Sequence, residues 1–215
     1  MIIMAIDGAC RRNGTPDCVS AGGIFMSFED GTYSTASTHE YRSTNQRGEL
    51  LALLSAITNA VLFNQETCII TDSEYIFNAM TKQWYNRWHD NGWLTASGDE
   101  VKNKDLWQDI YQRIQWCDIE VHFYHIKGHC IPFGKVTADR LLSSDTSGKS
   151  LLDNVTEQFE RVKTNKVQNL KAAQSLSYKN NGFELPEDTL KLFITFNTVA
   201  DAVATKAVEI ADRER

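Results

Sequence analysis

The chain has 215 residues, room for one large domain or for a domain of common size with an added segment, and its hydrophobic share of 42% and charged share of 23% exclude a disordered polymer. A net charge of -6 argues against gripping nucleic acid by bulk positive charge, unless part of the acid is committed to metal ions. Five scattered cysteines (Cys10, Cys18, Cys68, Cys117 and Cys130) without a CxxC spacing suit free thiols in a reducing compartment. With no basic leader and no long apolar span, a cytoplasmic location and no membrane association are expected.

Residues 1–6 are apolar without alternation, which marks a strand covered on both faces and set mid-sheet, and Asp7 stands at its carboxyl end. An ionised carboxylate there is costly to bury unless it is paired or binds a metal. Residues 9–20 form a turn-rich stretch broken by Asn13, Gly14 and Pro16. Strands follow over 21–28 and 32–38, on either side of the hairpin signal Glu29, Asp30 and Gly31, which gives three antiparallel strands. From Thr44 the spacing of Leu50, Leu51, Leu53, Leu54, Ile57 and Val61 predicts a helix, with Thr44 or Asn45 as its cap and Glu49 in its first turns. Residues 67–71 are a short strand ending in Asp72 and Ser73, the second strand to end in an aspartate, and a helix runs from Glu74 toward Lys82.

A tryptophan-rich helical stretch over 83–93, a polar loop over 95–104, a helix over 105–116 and a strand over 119–126 come next, the last leading into Lys127, Gly128 and His129. The order predicts an α/β fold: a five-stranded mixed sheet, three antiparallel strands then two parallel ones, flanked by helices. Sites in such sheets lie beyond the carboxyl ends of strands, where Asp7 and Asp72 both fall. Residues 130–196 differ in character. They show no strand pattern, carry polar helical stretches over 151–162 and 167–176, and are punctuated by Asn180, Asn181, Gly182 and Pro186, so they read as a helical insertion. A helix over 198–211 closes the chain, with Asp201 in its first turn.

The stretches Ala5-Ile6-Asp7-Gly8, Thr44-Asn45-Gln46-Arg47-Gly48-Glu49-Leu50, Thr71-Asp72-Ser73, Val101-Lys102-Asn103 with Asp105-Leu106-Trp107, Lys127-Gly128-His129 and 197–201 carry, in this order, a resemblance to type 1 ribonuclease H. That family cuts the RNA strand of an RNA–DNA hybrid. The resemblance implies a ribonuclease H domain made of 1–129 and 197–215, interrupted by the helical insertion 130–196. It implies two Mg²⁺ ions, with Mn²⁺ able to substitute, Asp7 bridging both, Glu49 and Asp72 holding one and Asp201 the other. His129 resembles the family's histidine that assists proton transfer or product release, and the products implied carry a 3′-hydroxyl and a 5′-phosphate.

By the same resemblance Asn13, Asn45 and Gln46 read the minor groove of the hybrid, where the 2′-hydroxyl tells RNA from DNA. Arg42, Thr44 and Asn103 resemble the pocket for a DNA-strand phosphate, contacts that imply little sequence preference. Trp84, Trp88 and Trp93 match the hybrid-binding handle, although His89, Asp90, Asp99 and Glu100 stand where many members are lysine-rich. The expected partner is an RNA–DNA hybrid, and the expected assembly is a monomer.

Each of these residues also has an ordinary reading. Asp7 suits a strand-end turn, Asp72 a helix cap, Glu49 and Asp201 the favourable field of a helix amino terminus, and the tryptophans core packing. The alternative function is a catalytically lapsed protein of the same fold that binds hybrid or a partner; four like charges kept together favour the enzyme. Gly148-Lys149-Ser150 lacks a preceding strand, and His125 with His129 lacks the helix and glutamate of a zinc protease, so neither a nucleotide nor zinc is expected. In the insertion, Arg161, Lys163, Lys166, Lys171 and Lys179 would supply the positive surface missing from the handle.

Overall fold

In the computed structural model, which describes residues 1–116, 118–130 and 166–214, the apolar first strand is the middle of the sheet. The order is β3-β2-β1-β4-β5. β1 (Ile2–Arg11) pairs antiparallel with β2 (Val19–Ser27), which pairs antiparallel with β3 (Tyr33–Tyr41). On its other side β1 runs parallel to β4 (Thr67–Thr71), and β4 runs parallel to β5 (Val121–His125). The mixed sheet expected from the sequence is therefore the one observed.

Side chains alternate along the strands and so divide the core in two. Ile2, Met4, Ile6, Ile24 and Met26 pack on one side with α1 (Asn45–Phe63), α2 (Glu74–Thr81), α3 (Trp84–Asp90) and α4 (Lys104–Gln115). Ala5, Phe25 and Ile70 pack on the other with α5 (Lys166–Asn181) and α6 (Glu187–Arg213). The helices approach closely because β2 carries glycine on both faces. A Cβ at Gly22 would meet the backbone of Ala52 in α1, and one at Gly23 would overlap the backbone of Ala200 and Ala204 in α6.

Thr44 is the cap of α1, its hydroxyl accepting from the Arg47 N–H at 3.3 Å. Arg47 then ties three elements together, its guanidinium reaching Glu40 of β3 at 2.6 Å and Asp105 of α4 at 2.7 Å. Among the described residues no helix is long and apolar enough to cross a membrane.

Two boundaries differ from the sequence pattern. The β1–β2 ladder runs on through Ala9↔Ala21, Cys10↔Ser20 and Arg11↔Val19, positions expected to lie in a turn. Only the tip needs turn chemistry, with Arg12 at φ 56 and Gly14 at φ 79. The last helix begins at Glu187 behind Pro186 rather than at 198, so Asp201 lies mid-helix and not in a first turn. Its apolar face continues upstream, where Leu190, Phe193, Ile194 and Phe196 join the core. The helical stretch expected over 167–176 is observed and reaches Asn181, whereas the stretch 151–162 and the side chains of Arg161, Lys163 and Lys166 lie outside the described residues.

Candidate active site

Four elements bring carboxylates to one end of the sheet. Asp7 leaves β1 on the same face as Ala5, and its Oδ1 accepts from the Gly8 N–H at 2.7 Å. Glu49 comes from the start of α1, which lies so near β1 that a Cβ at Gly8 would overlap the Glu49 backbone nitrogen. Asp72 directly follows β4, and Ser73 beside it caps α2. Ligand oxygens of Asp7, Glu49 and Asp72 all lie within 4.8 Å of one another. Asp201 joins them from α6: its charge acts on Asp7, Glu49 and Asp72 alike.

Burial and mutual repulsion disfavour ionisation throughout the cluster. Asp7 is raised well above the usual carboxylate range, first by burial and then by Asp72, Glu49 and Asp201. Glu49 is pushed up to about 8 by burial and then by Asp72. Asp72 and Asp201 are raised by burial too, an effect opposed at both by the nearby His129. The Asn197 side chain, hydrogen-bonded to Asp72, works in the same direction as His129.

Asp7 Oδ2, Glu49 Oε2 and Asn197 Oδ1 are buried with no hydrogen-bond partner among the described residues. Unmet buried acceptors are rare and unfavourable, and here all three are hard oxygens beside a concentration of negative charge. That donor set suits Mg²⁺ or Mn²⁺, so the residues present fit divalent cations.

His129 stands at the rim. Its side chain is 81% exposed and its Nδ1 lies 3.9 Å from Asp201 Oδ2. The chain reaches it through Gly128, where a Cβ would overlap the Asp72 carboxylate, which gives that glycine a steric reason.

From Glu49 an open groove of about 450 Å³ runs past Asn13, Thr44, Asn45 and Gln46, and Ser73, Tyr75 and Lys102 line it as well. Asn13 Oδ1 accepts from the Asn45 N–H at 3.4 Å, and Asn103 Nδ2 donates to Gln46 Oε1 at 3.2 Å, so Asn103 adjoins the groove through its neighbour. Arg42 is exposed at the end of β3 with φ 54 and is not among the lining residues. The tryptophans act mainly as packing: Trp84 meets Trp88, Trp88 meets Trp107, and Trp93 is buried. Lys82 lies over the Trp84 ring, a positive group beside the tryptophan-rich stretch.

Sequence reasoning did not single out Ser73, Tyr75, Lys102 or Asn197 as site residues. Asn197 had a signal, since it stands four positions before Asp201 and the two share a helix face. Tyr75 had none, because its place follows from the Trp107 Nε1–H donating to its hydroxyl at 2.8 Å across two helices.

Comparison with known proteins bears on the family and the fold. The family model described as RNase H matches residues 1–147, a span that runs past His129 into residues outside those described. Ribonuclease H of Clostridium botulinum (strain Hall) is 34% identical over 131 residues, 60% of this chain and 83% of that protein. Ribonuclease H of Pseudoalteromonas atlantica is 34% identical over 149 residues, 68% of this chain and 90% of that protein. Among solved structures, the foamy viral protease-reverse transcriptase in complex with RNA/DNA hybrid superposes with a TM-score of 0.53 at 18% identity, over 69% of this chain and 19% of that one, a likeness of fold.

Proposed function

The chain belongs to the RNase H family of hydrolases, and from that premise we propose that it cuts the RNA strand of RNA–DNA hybrids at the cluster of Asp7, Glu49, Asp72 and Asp201, with two divalent cations. The observation that supports this best is the set of unmet buried oxygens on Asp7, Glu49 and Asn197 within a crowd of carboxylates. When bound, Mg²⁺ or Mn²⁺ supplies Lewis acidity, which makes water a nucleophile near neutral pH and neutralises charge on the leaving oxygen.

The chain's own residues do the rest. Asp7, Glu49, Asp72 and Asp201 hold the cations, and the cations in turn let all four stay ionised. As water oxygen bonds to phosphorus and gives its proton to solvent, the bond to the 3′ oxygen breaks and His129, exposed and next to Asp201, donates a proton to that departing oxygen, which leaves a 3′-hydroxyl and a 5′-phosphate. In the groove the amides of Asn13, Asn45 and Gln46 both donate and accept, as reading a 2′-hydroxyl requires; Thr44 in its lining and Asn103 beside Gln46 take the phosphate of the DNA strand, with Arg42 contributing from outside the lining. Among the described residues no feature of the site favours the lapsed alternative.

The test is cleavage of an RNA–DNA hybrid, of duplex RNA and of duplex DNA, each with and without Mg²⁺. Only the hybrid with Mg²⁺ is expected to be cut, and Asp72→Asn should lower that rate by about 10²-fold or more, as loss of one charged contact at a reacting centre does. Equal cutting by Asp72→Asn, or cutting without a divalent ion, overturns the proposal.

A further inference from the structure

We propose that His125 and Asn180 form a positioning pair through which helix α5, outside the span matched to the family, holds the Asp72 turn and thereby sets the cation affinity of the carboxylate cluster. This rests on the metal-dependent reading above.

The β4–β5 ladder ends at the pair Thr71↔His125, one residue short of Asp72. Beyond it the His125 side chain takes over, with Nε2 at 3.1 Å from the Asp72 carbonyl oxygen. A carbonyl only accepts, so Nε2 carries the proton and Nδ1 is left as an acceptor. Asn180 Nδ2 meets Nδ1 at 3.0 Å. Asn181 holds the backbone of the same residue, its Oδ1 accepting from the His125 N–H and its Nδ2 donating to the His125 carbonyl, both at 2.9 Å. β5 is an edge strand, and these are the groups an edge leaves open. The ring is buried and meets Phe77 edge-on at 5.6 Å. Both ring nitrogens are in use, so the imidazole has one tautomer and one orientation.

The consequence falls on Asp72. Its carboxylate sits among like charges, and in the metal-free chain repulsion favours its turning away. A turn whose carbonyl is fixed from β5 and α5 denies it that freedom. The oxygens stay aimed at the cation site, and reorganisation on binding is small.

Three variants of the full chain test this, with Mg²⁺ binding followed by calorimetry alongside hybrid cleavage. His125→Phe keeps the ring against Phe77 and removes both nitrogens; its Mg²⁺ dissociation constant should rise about tenfold, as outer-shell losses do. Its kcat at limiting Mg²⁺ should fall in step while KM for hybrid stays unchanged. Asn180→Ala, at a half-buried helix position, should give the same pattern at about threefold, one hydrogen bond's worth. His125→Gln, which can still donate to the Asp72 carbonyl, should recover part of the affinity.

Wild-type Mg²⁺ affinity in both His125→Phe and Asn180→Ala overturns the proposal. So does a loss in His125→Phe that His125→Gln does not recover and Asn180→Ala does not share. Should His125→Phe fail to fold, Asn180→Ala decides alone. Failure of the underlying metal reading looks different, because then Asp7→Asn and Asp72→Asn would leave Mg²⁺ binding unchanged.

Discussion

The first 130 residues and the carboxyl-terminal helices supply the same site by different means. Asp7, Glu49 and Asp72 are placed by features short in sequence: a central strand just past the end of its parallel pairing with β4, a capped helix start and a strand-to-helix turn. Asp201 is placed by the seating of a long helix on the sheet, which Arg11 and Arg12 on Asp212 and the Tyr41 hydroxyl on the Ala211 carbonyl also tie down. It sits mid-helix, and its distance from the cluster is set by how closely α6 lies on the glycine of β2. The first kind of placement is local, and the second depends on how one helix is seated along its length.

Gly23→Val should therefore break the comparison hardest. The added side chain would displace the α6 backbone at Ala200 and Ala204, the turn that carries Asp201, while β1, α1 and β4 keep their places. Overpacking of this kind costs about 1–3 kcal/mol, at about 2–4 °C of Tm per kcal/mol for a chain of this size. Hybrid cleavage should fall by about 10²-fold, as misplacement of a catalytic group by an ångström does. A variant that melts lower yet cleaves at the native rate would show that α6 need not be seated tightly.

A pH series without divalent ions sharpens the electrostatic side. Asp7 and Glu49 are raised in the folded chain, so the native state keeps protons that the unfolded state has released. The Glu49 contribution to stability is whole below its ordinary value of 4.5 and is lost as pH rises through about 8, and that of Asp7, whole below 3.8, is lost in the same direction. Thermal melts should thus show Tm falling from mildly acidic to mildly alkaline pH, and saturating Mg²⁺ should abolish the fall. A metal-free Tm that rises over this range contradicts the raised values.

The smallest effect is expected at Thr44, whose hydroxyl both caps α1 and lines the groove. Thr44→Ala should cost about 1 kcal/mol of stability, the usual worth of a cap. Hybrid KM should rise while Mg²⁺ affinity holds, because the cap lies upstream of Glu49. A fall in Mg²⁺ affinity would mean that the cap also places Glu49.

Much of this was legible in the sequence where local chemistry decides. β4 has the bounds its β-branched run suggested, Thr44 is the cap, and Asp72 stands just beyond β4 as a strand-end carboxylate should, whereas Asp7 lies beyond the β1–β4 pairing but still inside β1, which runs on with β2 to Arg11. The start of α6 was not legible for a physical reason. Residues 193–200 are buried on every side, so the 3.6-residue alternation that marks a surface helix is missing there. The reach of β1 to Arg11 was hidden by turn residues that occupy only the hairpin tip. The contact of Asn180 with His125 joins residues far apart in the chain, and the same histidine looked from spacing alone like a failed zinc ligand.

One measurement tests the central claim most directly. Asp139, like Asp145, follows His129 inside the span matched to the family and is a rival for the fourth carboxylate, so Asp201→Asn should be compared with Asp139→Asn, and with Asp145→Asn as a further control, for Mg²⁺-dependent cleavage of an RNA–DNA hybrid. The convergence of Asp201 on Asp7, Glu49 and Asp72 predicts that Asp201→Asn loses cleavage while Asp139→Asn retains it. Native cleavage by Asp201→Asn, with loss in Asp139→Asn, would contradict it.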